Sequence, residues 1–305
     1  DQPASSLEKL AWLPEGAETL SPESKIAGFQ LIHGNKPIFF LPGIPHQMKS
    51  LLVDQVLPRL ATWYQGRQLN SVQRVYKIFG KTEIEINREV ESLVLDDKVE
   101  IGYYPVFPNV HLSMTIRNSD ERATQLLAEE TFSLIENKLG DFIYGKDQET
   151  MESVLGVLLQ QKNKQFSVAE SCTGGLISHL LTSVAGSSSY YLGGVISYAN
   201  SMKNTYLGVD EQLLLDHGAV SPEAAEAMAL GMRERSGADI SLSVTGLAGP
   251  DGGSDEKPVG TVFIGLADEN GIQVQRFLFF GNRQEIQRTT AQTALDLLRR
   301  YLLQH

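Results

Sequence analysis

The chain has a single cysteine, Cys172, in 305 residues, so no internal disulfide framework can form. That economy fits a reducing cytoplasm. No apolar run reaches the roughly 18 residues a membrane-spanning helix needs, so none is expected. The opening, Asp1-Gln2-Pro3-Ala4-Ser5-Ser6, has neither the basic-then-apolar pattern of a secretory signal nor a methionine. Such a start suggests a fragment, a processed chain, or one whose true beginning lies elsewhere. Histidine is sparse: the 6 residues His33, His46, His111, His179, His217 and His305 are scattered and keep no metal-ligand spacing. A zinc enzyme is therefore not expected, while Mg²⁺ held by carboxylates stays open. Positive charge is also in deficit, with 26 Lys and Arg against 37 Asp and Glu and a formal net charge of -11. A chain so acidic repels phosphate backbones overall, so direct contact with nucleic acid is not expected.

What is present is ordinary globular material, 42% hydrophobic and 21% charged. It divides into three blocks. Residues 1–62 hold polar loop material, an apolar strand Pro37-Ile38-Phe39-Phe40-Leu41, and the forced turn Pro42-Gly43-Ile44-Pro45. One amphipathic helix follows, with Met48, Leu51, Leu52, Val56 and Leu60 inward. Strand, glycine turn and helix together can present N–H groups to an anion. One strand and one or two helices are too little for an independent core, so this block looks truncated. Residues 63–146 read β-α-β-β-α, with strands at 71–79, 99–104 and 110–116 and helices at 81–93 and 120–139. This is a small α+β module with helices on one face, a spacer or dimerisation element without a catalytic cluster. Residues 147–305 alternate helices (149–161, 176–183, about 200–207, 222–235, 283–303) with strands (166–169, 193–198, 240–245, 260–267, 272–280). They read as a three-layer α/β/α domain with a mixed sheet. Ser221 as N-cap and Pro222 at the first position start the helix at 222 cleanly. Exposed strand edges in such domains often pair, so a homodimer is expected.

Chemistry gathers in the third block. Ser171 falls where the strand Phe166-Ser167-Val168-Ala169 gives way to Thr173-Gly174-Gly175 and a helix. A hydroxyl there suits a nucleophile with N–H groups nearby to hold an oxyanion. A helix cap and a phosphate cradle use the same local sequence. No histidine near the loops has an orienting acid, since His179 is mid-helix and His217 precedes a glycine, so a Ser-His-Asp triad is weakly supported. A desolvated lysine can replace it. Tyr198 and Lys203 flank the next strand-to-helix junction, at Ser171's end of the sheet if the strands are parallel, and complete a candidate Ser-Tyr-Lys site. Cys172 is either a second thiol candidate at the helix start or a small buried residue. A glycine-rich loop, Thr245 to Gly253, follows the strand at 240 and either wraps a ligand or connects strands. Arg283 opens the last helix at its positive end, where a phosphate or carboxylate ligand would rationalise it.

The motifs Glu170-Ser-Cys-Thr-Gly-Gly175, Ser183-Val-Ala-Gly-Ser-Ser188, Val195-Ile-Ser-Tyr-Ala-Asn200 and His217-Gly-Ala-Val-Ser221 resemble the C-terminal domain of the CinA family. So do Gly246-Leu-Ala-Gly-Pro-Asp-Gly-Gly253 and Lys257-Pro-Val-Gly-Thr261. The stand-alone relatives of that domain are nicotinamide mononucleotide (NMN) deamidases. Leu41-Pro-Gly-Ile-Pro45 resembles the end of the family's molybdopterin-binding-like domain, and the middle block its KH-like connector. The resemblance implies hydrolysis of the NMN amide to nicotinic acid mononucleotide and ammonia, in pyridine nucleotide salvage and without a cofactor. It places the catalytic set on Ser171 as nucleophile, Lys203 as base and Tyr198 as relay. It suggests substrate contacts at Thr173, Gly174, Gly175, Asn200, Thr245, Gly246 and Arg283. Two departures stand beside it. The first half of the molybdopterin-binding-like domain has no counterpart here, and with it goes most of the metal-binding machinery of an ADP-ribose pyrophosphatase, for which a divalent cation is implied only if that domain is complete. Ser21 to Phe29 also lacks a further glycine and proline that usually precede Gly28-Phe29. The alternatives to a deamidase are that pyrophosphatase, or a non-enzymatic partner protein in competence or DNA damage.

Overall fold

The computed structural model describes residues 12–23, 27–64 and 70–305. The departure at Ser21 to Phe29 therefore lies partly outside the described residues. The chain divides into two compact units, Asp1–Asn70 and Ser71–His305.

In the first unit, β1 (Glu18–Thr19), β2 (Phe29–His33) and β3 (Lys36–Phe40) form an antiparallel sheet in the order β1-β2-β3. The expected single helix is interrupted: α1 (Pro45–Leu51) and α2 (Leu57–Trp63) are joined by a π-helical segment, Leu52–Val56. Pro58 has no N–H to continue the helical ladder, and Leu57 N–H reaches back to Leu52 O instead. Leu20, Leu51 and Val56 form a small core.

The second unit opens with a four-stranded sheet, order β5-β6-β4-β7, from β4 (Asn70–Ile78), β5 (Val99–Val106), β6 (Asn109–Asn118) and β7 (Ile143–Lys146). Two helices, α3 (Glu83–Glu91) and α4 (Glu121–Leu139), cover it, burying Ile86, Val90, Phe132 and Ile135 against Tyr76, Leu112 and Met114. The sequence reading omits β7, which has only four residues and no alternation to reveal it. Its place is set by pairing with β4.

The C-terminal half is built on a five-stranded mixed sheet in the order β12-β11-β10-β8-β9. Its strands are β8 (Phe166–Glu170), β9 (Tyr191–Ile196), β10 (Ile240–Gly246), β11 (Thr261–Asp268) and β12 (Gly271–Leu278). Strands β10, β8 and β9 are parallel, and β11 and β12 add antiparallel. Successive strand residues face opposite layers. Phe166, Val168, Leu242 and Val244 pack with α5 (Met151–Gln161), α6 (Leu176–Thr182) and α10 (Arg283–Gln304). Ala169 joins the other side with α7 (Asn200–Leu207) and α9 (Pro222–Ser236). Small residues let α9 lie close: Ser241 and Ser243 donate to Ala229 O and Ala225 O at 2.7 and 2.5 Å. Ser221 caps α9 by accepting from Ala224 N–H, as its sequence suggests. A short helix absent from the sequence reading, α8 (Glu211–His217), precedes it.

Candidate active site

The parallel pairing of β8 and β9 brings their C-terminal ends together, and both candidate junctions leave the sheet there. Ser171 follows β8 directly, its N–H bonded to Val244 O at 2.9 Å, and its side chain is 8% exposed. The chain then makes a turn through Gly174 (φ +63) and Gly175 (φ +99) before α6 begins at Leu176. Both conformations favour glycine. At Gly175 a Cβ would also lie 2.8 Å from Ile196 Cδ1.

Lys203 rises from the first turn of α7 and is 1% exposed. Its Nζ lies 3.1 Å from Ser171 Oγ, and donates to Ser197 O at 2.7 Å and Tyr198 O at 3.3 Å. All three partners are neutral. Burial without a carboxylate pushes the pKa of Lys203 below the ordinary lysine value. In the neutral amine, two N–H bonds go to the two carbonyls and the lone pair is left facing the Ser171 hydroxyl. A serine beside a buried lysine whose burial favours the neutral amine has the geometry that a nucleophile and its base require.

Glu170 has a role that its sequence context alone does not announce. It is fully buried, and its carboxylate accepts from Gly175, Ile177 and Ser178 N–H at 3.0, 3.1 and 2.8 Å, and from Ser178 Oγ at 2.6 Å. An acid just before an apolar helix is the signal that could have revealed it. The consequence is a correction: the α6 N–H groups offered as an oxyanion hole are already satisfied by Glu170.

The other candidates distribute unevenly. Ser171, Cys172, Tyr198, Lys203, Thr245, Gly246, Leu247, Ala248, Gly249, Asp251 and Arg283 line, with Ala219 and Val220, one cavity of about 250 Å³. That is below the ~300–1,000 Å³ of typical ligand pockets, so it suits the reacting end of a ligand rather than all of it. Thr173, Gly174, Gly175 and Asn200 are not in this lining. Thr173 is buried with no hydrogen-bond partner for Oγ1, and Asn200 is exposed at the start of α7. Thr245 Oγ1 donates to Ala219 O at 2.6 Å, joining the two loops that wall the cavity. Arg283 donates to Gly249 O at 2.7 Å and to Tyr198 Oη at 2.8 Å, so two protein acceptors already hold the guanidinium. Tyr198 meets Lys203 through its backbone carbonyl, while its phenol rests on Arg283. Cys172 is a neutral thiol: burial pushes its pKa up to about 12. Two larger concavities, 590 Å³ around Phe39, Arg59 and Trp63 and 550 Å³ around Phe79, Phe107 and Phe280, lie apart from Ser171 and Lys203; in the second, the Thr82 hydroxyl is spent on Glu85 as part of a helix capping box.

Comparison with known proteins matches two stretches of the chain, both within Ser71–His305. A family model for the CinA C-terminal domain matches residues 148–302, and one for the damage-inducible protein CinA KH domain matches residues 73–145. A CinA-like protein of Desulfotalea psychrophila is 55% identical over 304 residues, covering 100% of this chain and 74% of the relative. A CinA-like protein of Citrifermentans bemidjiense is 42% identical over 296 residues, covering 96% and 70%. Among solved structures, competence/damage inducible protein CihA from Agrobacterium tumefaciens is 39% identical, with a TM-score of 0.48, covering 49% of this chain and 92% of its own.

Proposed function

The chain belongs to the CinA family, and from that premise we propose that its C-terminal half is a serine amidohydrolase acting on NMN. The observation that carries the reading is the buried, neutral-surrounded Lys203 at 3.1 Å from Ser171 Oγ. Ser171 Oγ attacks the carboxamide carbon and its proton passes to Lys203 Nζ. The carbonyl π pair moves onto oxygen. When the tetrahedral intermediate collapses, Lys203 returns the proton to the leaving nitrogen and ammonia departs. Water, deprotonated by the same amine, then releases the carboxylate product and regenerates Ser171. The Tyr198 phenol accepts from Arg283 and keeps its own O–H to give to the substrate at the cavity wall.

The choice of NMN rests on the family motifs; the amidohydrolase class is supported by the site itself. The test is ammonia release from NMN without added metal, comparing the parent with Ser171→Ala and Lys203→Ala. Loss of release in both is expected. Full activity in Ser171→Ala would sink the assignment.

A further inference from the structure

The peptide that follows the nucleophile is held from a distant helix. Gln287, half-buried in the first turns of α10, donates its Nε2 hydrogen to Cys172 O at 2.7 Å across 115 positions of sequence. A trans peptide points its N–H opposite to its C=O. A Cys172 carbonyl anchored on Gln287 therefore turns the Thr173 N–H the other way. One peptide earlier the pattern repeats: Ser171 O accepts from Gly174 N–H at 3.2 Å, which turns the Cys172 N–H away from the bend. Neither the Cys172 nor the Thr173 N–H donates to another residue's acceptor among the described residues. Among the described residues the Cys172 N–H meets only its own Sγ, and successive N–H groups without another residue's acceptor can hold an anion. This pair immediately follows Ser171, whereas the helix donors of Gly175, Ile177 and Ser178 are spent on Glu170.

We infer that the Cys172 N–H, whose residue lines the cavity beside Ser171, is the oxyanion-hole donor and that Gln287 is its positioning residue, holding the Cys172 carbonyl without touching substrate. The inference rests on the serine amidohydrolase reading of the site. Losing one oxyanion donor outright costs on the order of 10²–10³ in kcat, and losing its support costs less.

The experiment measures kcat and KM for NMN in Gln287→Leu and Gln287→Lys. Gln287→Leu should lower kcat by roughly 10- to 100-fold, with KM within about twofold of the parent. Gln287→Lys, which restores a donor of similar reach, should recover most of the loss. If Gln287→Leu does not fold, the isosteric Gln287→Glu, whose carboxylate cannot donate, carries the same expectation. A kcat within twofold of the parent overturns the inference, as does a loss confined to KM or one that Gln287→Lys does not relieve. A fluorophosphonate probe separates this from the choice of substrate. Its phosphorus forms a bond to Ser171 Oγ as fluoride leaves and the serine proton passes to Lys203, and the phosphoryl oxygen occupies the oxyanion hole. Ser171 labelling that slows in Gln287→Leu, in a parent that leaves NMN intact, supports the inference and refutes NMN as substrate. Labelling at the parent rate overturns the inference whatever the substrate. A parent that neither hydrolyses NMN nor labels at Ser171 overturns both.

Discussion

At the scale of single residues the proposed hydrolysis turns on the protonation of Lys203. Its pKa is lowered by burial, and only the neutral amine can accept the Ser171 proton. The rate should therefore rise with pH and level off with a midpoint below the ordinary lysine value of 10.5. A pH profile of kcat/KM checks this, and a midpoint at or above 10.5 would contradict it. Stability carries the same sign: between the folded and unfolded pKa values the unfolded chain holds the proton more tightly. The contribution of this group is therefore absent below the folded value and regained as pH rises toward 10.5. Lys203→Met should remove the alkaline rise and lower the rate by about 10²-fold or more. Ser171, Tyr198 and Lys203 are readable as chemistry because nucleophile, phenol and amine flank two strand-to-helix junctions. That the Tyr198 phenol rests on Arg283 is not readable, since 85 positions separate the two.

At the scale of elements, two contacts hold those junctions in place. The Glu170 carboxylate fastens the start of α6, and charge-assisted bonds of this kind contribute about 1.5–3 kcal/mol each, though not additively. Glu170→Ala should destabilise the protein by about 3 kcal/mol or more, read as a lower urea midpoint at an unchanged m-value. Glu170→Gln, which keeps one acceptor oxygen, should lose less. The second contact is Gly231 on α9, where a Cβ would fall 1.8 Å from Leu207 O at the end of α7. Gly231→Ala gains about 1 kcal/mol in helix propensity but forces backbone apart, an overpacking cost of about 1–3 kcal/mol or more. The expected net result is a lower Tm. Because α7 carries Lys203, the proposed ammonia release should fall with it. The helices themselves are legible from caps and periodicity, such as Ser221-Pro222 at the start of α9. Strand β7 and helix α8 are not: at four and seven residues they are too short for a period to show, and packing decides them.

At the scale of the whole molecule, the KH-like module and the C-terminal domain within Ser71–His305 are joined by α10. Arg299, 3% exposed, pairs with Asp296 at 2.7 Å and reaches the Asp141 carbonyl in the turn after α4. Gln292 meets Asn109 at 3.1 Å beside it. Arg299→Ala leaves Asp296 buried with only the more exposed Arg300 as partner. It should destabilise the chain by about 3–5 kcal/mol, with the loss of amide-exchange protection extending to β7. The alternation of strands and helices from 147 onward, the three-layer α/β/α class and the pair of chemistry-bearing junctions follow from local signals: alternation, caps, glycine turns and family motifs. These signals act within a few residues, so they survive in the sequence alone. Tertiary structure decides which N–H groups near Ser171 are free, because Glu170 captures those of α6 and Gln287 arrives from 115 positions away. It also decides that Lys203 is dry enough for its pKa to fall. Desolvation belongs to the packed molecule and not to any one segment of it.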